Sequence, residues 1–188
     1  NLIMRWENYF LQSDRGFTDF WRQYLRQERS ILYIMGIGFD PRSVVGIENI
    51  YGIEGTGLRD VMIARYYKNE HDKQSADDPR VADNLERLKR LIDAKRCNSF
   101  IQKDILFRSE EDISVTALEA AKIIDNAGEI TAYSDIVVDV SAMPRSVFIP
   151  LLQKLLLLVD SFNDAGNGIK NLHVVVAETL RHLRRRSM

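Results

Sequence analysis

One cysteine, three histidines and four prolines are all that 188 residues contain of these types. With Cys97 alone, an internal disulfide and a cysteine-rich metal site are both excluded, as suits a chain kept in a reducing compartment. His71, His173 and His182 are scattered, with no H-E-x-x-H or paired spacing, so no metal site is expected. Unbroken apolar runs fall short of the ~18 residues that span a bilayer, and the amino end has no charged-then-apolar signal pattern. A cytoplasmic protein with no membrane partner is the expectation. Charge of one sign is not in excess either: 26 basic against 27 acidic residues leave a formal net charge of −1, so no overall field favours nucleic acid. Two nucleotide-binding fingerprints are also missing. The segment GIGFDPR has Pro41 where G-x-G-x-x-G needs its last glycine, and no G-x-x-x-x-G-K-S/T occurs anywhere, which argues against an NAD dehydrogenase and a P-loop ATPase.

What is present is a globular composition, 45% hydrophobic and 28% charged, enough for a domain with a substantial core. Residues 1–29 place Ile3, Trp6, Phe10, Phe17, Phe20, Trp21, Tyr24 and Leu25 at helical spacings, with Gly16 expected to divide two amphipathic helices. This aromatic segment is expected to pack on the core, on a protein partner or on a second copy of the chain. Residues 30–188 then alternate apolar runs with amphipathic ones. Strands are expected at 30–39, 58–67, 99–107, 136–138 and 172–177. Residues 43–57, with four glycines, are expected to form a short helix followed by a loop, and longer helices are expected around 81–96, 116–126 and 146–162, with Leu118, Ala121, Ile123 and Ile124 facing inward on the second of these three and the last buried on most sides. Lys68 to Pro79 reads as a surface loop. The order predicts an α/β fold: a Rossmann-like three-layer sandwich, its mostly parallel sheet of about five strands preceded by amphipathic N-terminal helices. The chain begins at Asn1 and ends in RHLRRRSM, which fits a piece of a longer polypeptide. Its terminal arginines read as a solvated helix face.

The organising stretch is DIVVDVSAMPR, residues 135–145, where a short β-branched run breaks into polar residues and a proline. In open parallel sheets, ligands bind outside the carboxyl ends of the strands, where helix starts offer free amides. A crevice is therefore expected between GIGFDPR and DVSAMPR. Its candidate ligand-binding residues are Gly36, Gly38, Asp40, Arg42, Asp139, Ser141 and Arg145: glycines for close backbone approach, arginines and serine for a phosphate, aspartates for ribose hydroxyls or the arginines. The competing structural reading has Asp40 and Ser141 as helix caps and the arginines as surface ion pairs. Asp40, Asp139 and Glu178 are candidate acids or bases of an alternative enzymatic reading, a nucleotide or NAD hydrolase or a glycosidase. A third reading makes the chain a structural interaction domain of a larger assembly. His173, inside a strand, reads as a satisfied core residue.

Asp139-x-Ser141-x-x-x-Arg145 resembles the Asp/Asn-x-Ser/Thr-x-x-x-Lys/Arg signature near a strand end in CRISPR-associated Rossmann fold domains, sensors of cyclic oligonucleotides in prokaryotic antiviral defence. The resemblance implies a nucleotide- or phosphate-binding sensor or regulatory module, with Ser141 and Arg145 on the ligand's phosphates, while an oligomer is expected only from the N-terminal aromatic helices. No particular cofactor is implied.

Overall fold

The computed structural model describes residues 11–74, 78–94, 97–166 and 168–177. Five strands, β1 (Ile31–Ile37), β2 (Arg59–Tyr67), β3 (Ser99–Leu106), β4 (Asp135–Asp139) and β5 (Asn171–Val175), form one sheet in the order β3-β2-β1-β4-β5. Every pairing is parallel. All residues of β1 and β4 are buried, as the uniformly apolar ILYIMGI and the IVV of DIVVD require of central strands covered on both faces.

Side-chain alternation along the strands divides the interior in two. Leu32, Ile34, Met62, Ala64, Ile136 and Val138 face one way, against α4 (Thr116–Ala121) and α5 (Arg145–Asp164). Ile31, Tyr33, Met35, Val61, Ile63 and Val137 face the other, against α1 (Asp14–Tyr24), α2 (Val45–Tyr51) and α3 (Pro79–Asp93). The result is the expected α/β three-layer sandwich of Rossmann-like type. Because β1 lies between β2 and β4, the chain reverses its direction of travel across the sheet between β1 and β4, the topological switch point.

Several local expectations need correction. Gly16 divides nothing among the described residues; it sits in the first turn of α1, which runs unbroken to Tyr24, while Ile3, Trp6 and Phe10 lie outside them. The helix from Thr116 ends at Ala121, and Leu118 is 61% exposed, because only Ala120, Ile123 and Ile124 reach the sheet. α5 is buried on one face only, at Val147, Leu151, Leu155 and Val159, and leaves Leu157 64% exposed. α5 packs on the sheet and beside α4 and has nothing over its outer face among the described residues, so its apolar density exceeds what those contacts cover. By length and composition alone α5 is apolar enough to cross a bilayer, a property hidden from a search for unbroken runs by Gln153 and Lys154.

α1 belongs to the core through Trp21 and Leu25, and it is tied down by a polar knot at the amino edge of the sheet. Asp135, fully buried at the start of β4, accepts from the Tyr24 hydroxyl at 2.6 Å, the Ser134 hydroxyl at 2.6 Å and the Asn171 amide at 3.3 Å. His173 Nε2 lies 2.8 Å from the same carboxylate, its ring packed among Phe20, Trp21 and Tyr24. The histidine is thus a satisfied interior group, as expected. Burial pushes the Asp135 pKa up, but the hydrogen bonds from His173, Ser134 and Tyr24 outweigh it and hold the carboxyl below its ordinary value. A lowered folded-state pKa contributes stability that is complete above the unfolded value of about 3.9 and is lost as pH falls through the folded one. Asp135→Ala is expected to cost more than ~3 kcal/mol by stranding several buried donors. Urea denaturation at a series of pH values should show a smaller acid-side loss in that variant than in the unsubstituted chain.

Candidate functional site

The carboxyl ends of the strands carry two different structures, a filled one at the switch point and an open one beside it. At the switch point, β1 and β4 are in register with Met35 opposite Asp139, as the expected convergence of GIGFDPR and DVSAMPR demands. Asp139 is 1% exposed. It accepts from the Tyr33 hydroxyl at 2.6 Å and from the Ser141 amide at 2.9 Å and hydroxyl at 2.5 Å. The Ser141 hydroxyl in turn accepts from the Ala177 amide at 2.7 Å, which ties the loop after β4 to the segment after β5. Gly46 of α2 closes over the group: a Cβ there would lie 2.4 Å from the Asp139 carboxylate and from the Tyr33 hydroxyl. The polar atoms of Asp139 and Ser141 are therefore engaged within the protein, and a ligand reaching them would have to displace these bonds.

The open part is a cavity of about 600 Å³ displaced toward β2 and β3. Gly38, Phe39 and Asp40 after β1 line it on one side, and Ala142, Met143 and Pro144 after β4 on another. The two loops singled out in the sequence do meet there, but Arg42, Ser141 and Arg145 are not among the lining residues. Arg42 folds back onto Asp40, with its Nε 3.0 and 2.9 Å from the two carboxylate oxygens and its Nη2 2.5 Å from one of them. Asp40 also caps the 3-10 turn Pro41–Val44 by accepting from the Arg42 amide. The arginine side chain and amide hold the Asp40 carboxyl below its usual range. Asp78, a second acid of the lining, is likewise held down to about 2 by its hydrogen bonds from Arg80. Carboxylates kept ionised by arginine partners suit electrostatic and hydrogen-bonding roles better than proton donation near neutral pH.

Gly36 is needed beneath the cavity. A Cβ there would fall 2.2 Å from the Tyr66 hydroxyl and 2.9 Å from the Ala142 carbonyl, so the glycine lets β2's tyrosine and β4's loop approach β1. Gly38 has open space where its Cβ would be. The loop between them and Asp40 is held from behind by Asn84 of α3, 3% exposed, whose side-chain amide donates to the carbonyls of Gly38 at 2.8 Å and Asp40 at 3.0 Å.

Arg145 stands at the first position of α5, one residue past the cavity wall at Pro144. It is exposed, α5 has no side-chain cap, and no acid sits in its first turn. A cation at the positive end of a 20-residue helix is unfavourable by ~0.3–1 kcal/mol unless an anion joins it. Glu178 lies outside the described residues. Among the described residues no three His, Cys, Asp or Glu side chains are grouped to hold a metal ion.

Sequence reading missed the residues of β2 and β3 that build the rest of the cavity. Arg65, Tyr66 and Tyr67 end β2, Lys68 follows it, and Phe107 follows β3. The ring of Phe107 stacks on Tyr66 at 5.9 Å and 11°, and the Arg65 guanidinium lies over Tyr67 at 5.4 Å. The signal was present, two tyrosines and two cations closing a strand, but only the neighbouring position of β2 and β1 makes it part of a site. Comparison of the chain with models of protein families, with curated proteins and with solved structures finds no match.

The Asp139 geometry yields a stability prediction. Burial pushes the Asp139 pKa up, against the hydrogen bonds from Ser141 and Tyr33, so its ionised form costs stability at neutral pH, and that cost fades as pH falls toward about 3.9. Asp139→Ala should cost ~2–4 kcal/mol by stranding the Tyr33 and Ser141 hydroxyls, whereas Asp139→Asn, which keeps the shape and can pair with both, should change stability by less than ~1 kcal/mol. Equilibrium denaturation of the two variants decides it.

Proposed function

We propose that this chain is a binding module for a nucleotide or similar phosphate-bearing ligand, acting as a sensor or regulatory domain. The observation that carries this is the 600 Å³ cavity over the carboxyl ends of a parallel sheet, with Arg145, unpaired among the described residues, at an uncapped helix start beside it. Its volume lies within the ~300–1,000 Å³ of small-molecule sites. Its walls combine aromatic surface from Phe39, Tyr66, Tyr67 and Phe107 with Arg65 and Lys68 as cations and Asp40, Asp72 and Asp78 as acceptors. Cations and amides can take a phosphate, and the carboxylates can take sugar hydroxyls. The resemblance of DVSAMPR to cyclic-oligonucleotide sensors points in the same direction through Arg145, while Ser141 is committed to Asp139 and Ala177. Binding is favoured over hydrolysis because Asp40 and Asp78 are held ionised by Arg42 and Arg80.

Thermal unfolding with mono-, di- and cyclic oligonucleotides tests the proposal. A ligand at 100 times its dissociation constant should stabilise by ~2.7 kcal/mol, and the absence of a shift with every one of them would overturn it. Arg145→Ala should weaken the same ligand by ~1.5–3 kcal/mol while altering folding by less than ~0.5 kcal/mol, since the side chain is exposed and has no partner among the described residues. A sharp loss of melting temperature with intact binding would make Arg145 structural. Gly38→Leu, at a position with open space and no positive φ, should fold and obstruct the cavity, which titration calorimetry would register as lost affinity.

A further inference from the structure

We infer that the outer edge of β5 is an interface with a second copy of this chain, the two strands lying antiparallel across a two-fold axis at Val174 so that both five-stranded sheets join into one. The inference is independent of any ligand.

β5 ends the sheet on one side, and its hydrogen bonds show which way its backbone faces. The Asn171 amide donates to the Ser134 carbonyl at 2.9 Å, and the Val175 carbonyl accepts from the Val140 amide at 3.0 Å. In a parallel pair, alternate residues address the same neighbour. The amides and carbonyls of Leu172 and Val174 therefore point away from β4, and among the described residues no strand takes them up. Such a row is a template for another strand. The opposite edge is guarded: β3 carries Gln102, Lys103 and Asp104, with Lys103 3.4 Å from Glu129 and Asp104 3.7 Å from Lys73. Charged side chains on an edge are a means by which sheets refuse further pairing. β5 reads NLHVV, with no acid, lysine or arginine.

Its side chains supply the second observation. His173 and Val175 face the α1 side, where the histidine packs against Phe20 and Trp21. Leu172 and Val174 face the layer of α4 and α5. Val174 is 52% exposed there, and Val176, just past the strand, 60%. Lys154 of α5 donates to the carbonyls of Ala121 and Asp125, which marks the flank turned toward α4, and α4 itself contacts β3 at the far edge of the sheet. At about 3.6 residues per turn, Ile149, Leu152 and Leu156 fall on the other flank, toward β5. Ile149 is exposed and the two leucines are half-buried. Helix flank and strand edge thus form one uncovered apolar strip among the described residues.

A strip without charge takes an uncharged strand, and β5 is one. Antiparallel pairing about Val174 sets its amide and carbonyl against those of its own copy, and Leu172 opposite Val176. Apolar side chains then meet across the strip, and His173 lies opposite Val175, which keeps the two imidazoles apart. An axis at His173 would set them face to face, and an axis at Leu172 would bring Lys170 opposite Val174.

Sedimentation velocity of the full chain, from low micromolar to submillimolar concentration, tests the inference. The intact chain should dimerise. Val174→Glu, at an exposed position, should keep the circular dichroism of the folded chain and raise the dimer dissociation constant about a hundredfold, because like charges then meet at the axis. Val174→Lys should do the same, and an equal mixture of the two variants should recover dimers, since opposite charges then face each other. Ile101→Glu, on the β3 edge, should leave dimerisation unchanged. An intact chain that stays monomeric overturns the inference and leaves the β5 edge to a different occupant. A dimer that Val174→Glu does not weaken overturns it too, placing the contact elsewhere, as on the N-terminal aromatic segment. Failure of the mixture to recover dimers overturns the two-fold pairing at Val174.

Discussion

β4 is anchored at both ends by buried carboxylates, and the rest of the fold depends on that short strand being held in place. Asp135 at its start and Asp139 at its end each accept a tyrosine hydroxyl at 2.6 Å, from Tyr24 of α1 and Tyr33 of β1. A third bond of the same kind, Tyr133 to Asp60, joins the approach to β4 with the start of β2. Apolar packing alone would let a short strand with one isoleucine and two valines slide in register, because one such residue fits the pleat much as another does. A buried carboxylate has no such freedom, since leaving its donors costs the desolvation penalty on both sides. Each end of β4 is thereby fixed against a particular neighbour, and α1 and β5 are recruited through Tyr24, Asn171 and His173.

The same anchoring explains where a ligand can go. At the switch point, Gly46 brings α2 close over Asp139 and Tyr33, and Ser141 ties the loop after β4 to Ala177. The crevice generic to this topology is therefore occupied by the protein's own side chains. One strand over, the space between the ends of β1 and β2 is held open: Asn84 draws the carbonyls of Gly38 and Asp40 toward α3, and Gly36 allows Tyr66 beneath the loop after β4. The loop after β1 that borders the cavity is thus held by Asn84. Two of the carboxylates that border the cavity, Asp40 and Asp78, are already paired with arginines, which gives it polar edges.

What the sequence determined by itself is the set of elements and their class. A strand such as ILYIMGI is legible because burial on both faces demands a run of apolar residues within a few positions, and the helix Pro79–Asp93 because its apolar residues recur with the helical period. Gly36, Gly38 and Pro41 mark a strand end and a turn for reasons internal to their own backbones, whereas the meeting of GIGFDPR and DVSAMPR rests on β1 and β4 being neighbours in the sheet. The tertiary structure alone decided which chemistry those residues keep. Asp139 and Ser141 read as ligand contacts until Tyr33 and Ala177, distant in the chain, are seen to consume their hydrogen bonds. Leu118 and Leu157 read as core until the number of layers around their helices is known. Tyr66 and Phe107 become parts of one site only through the order β3-β2-β1-β4-β5. The division has a physical cause: periodicity and turn chemistry act over a few residues and leave their trace in local sequence, whereas partnership between side chains depends on strand order, which residues far apart settle together.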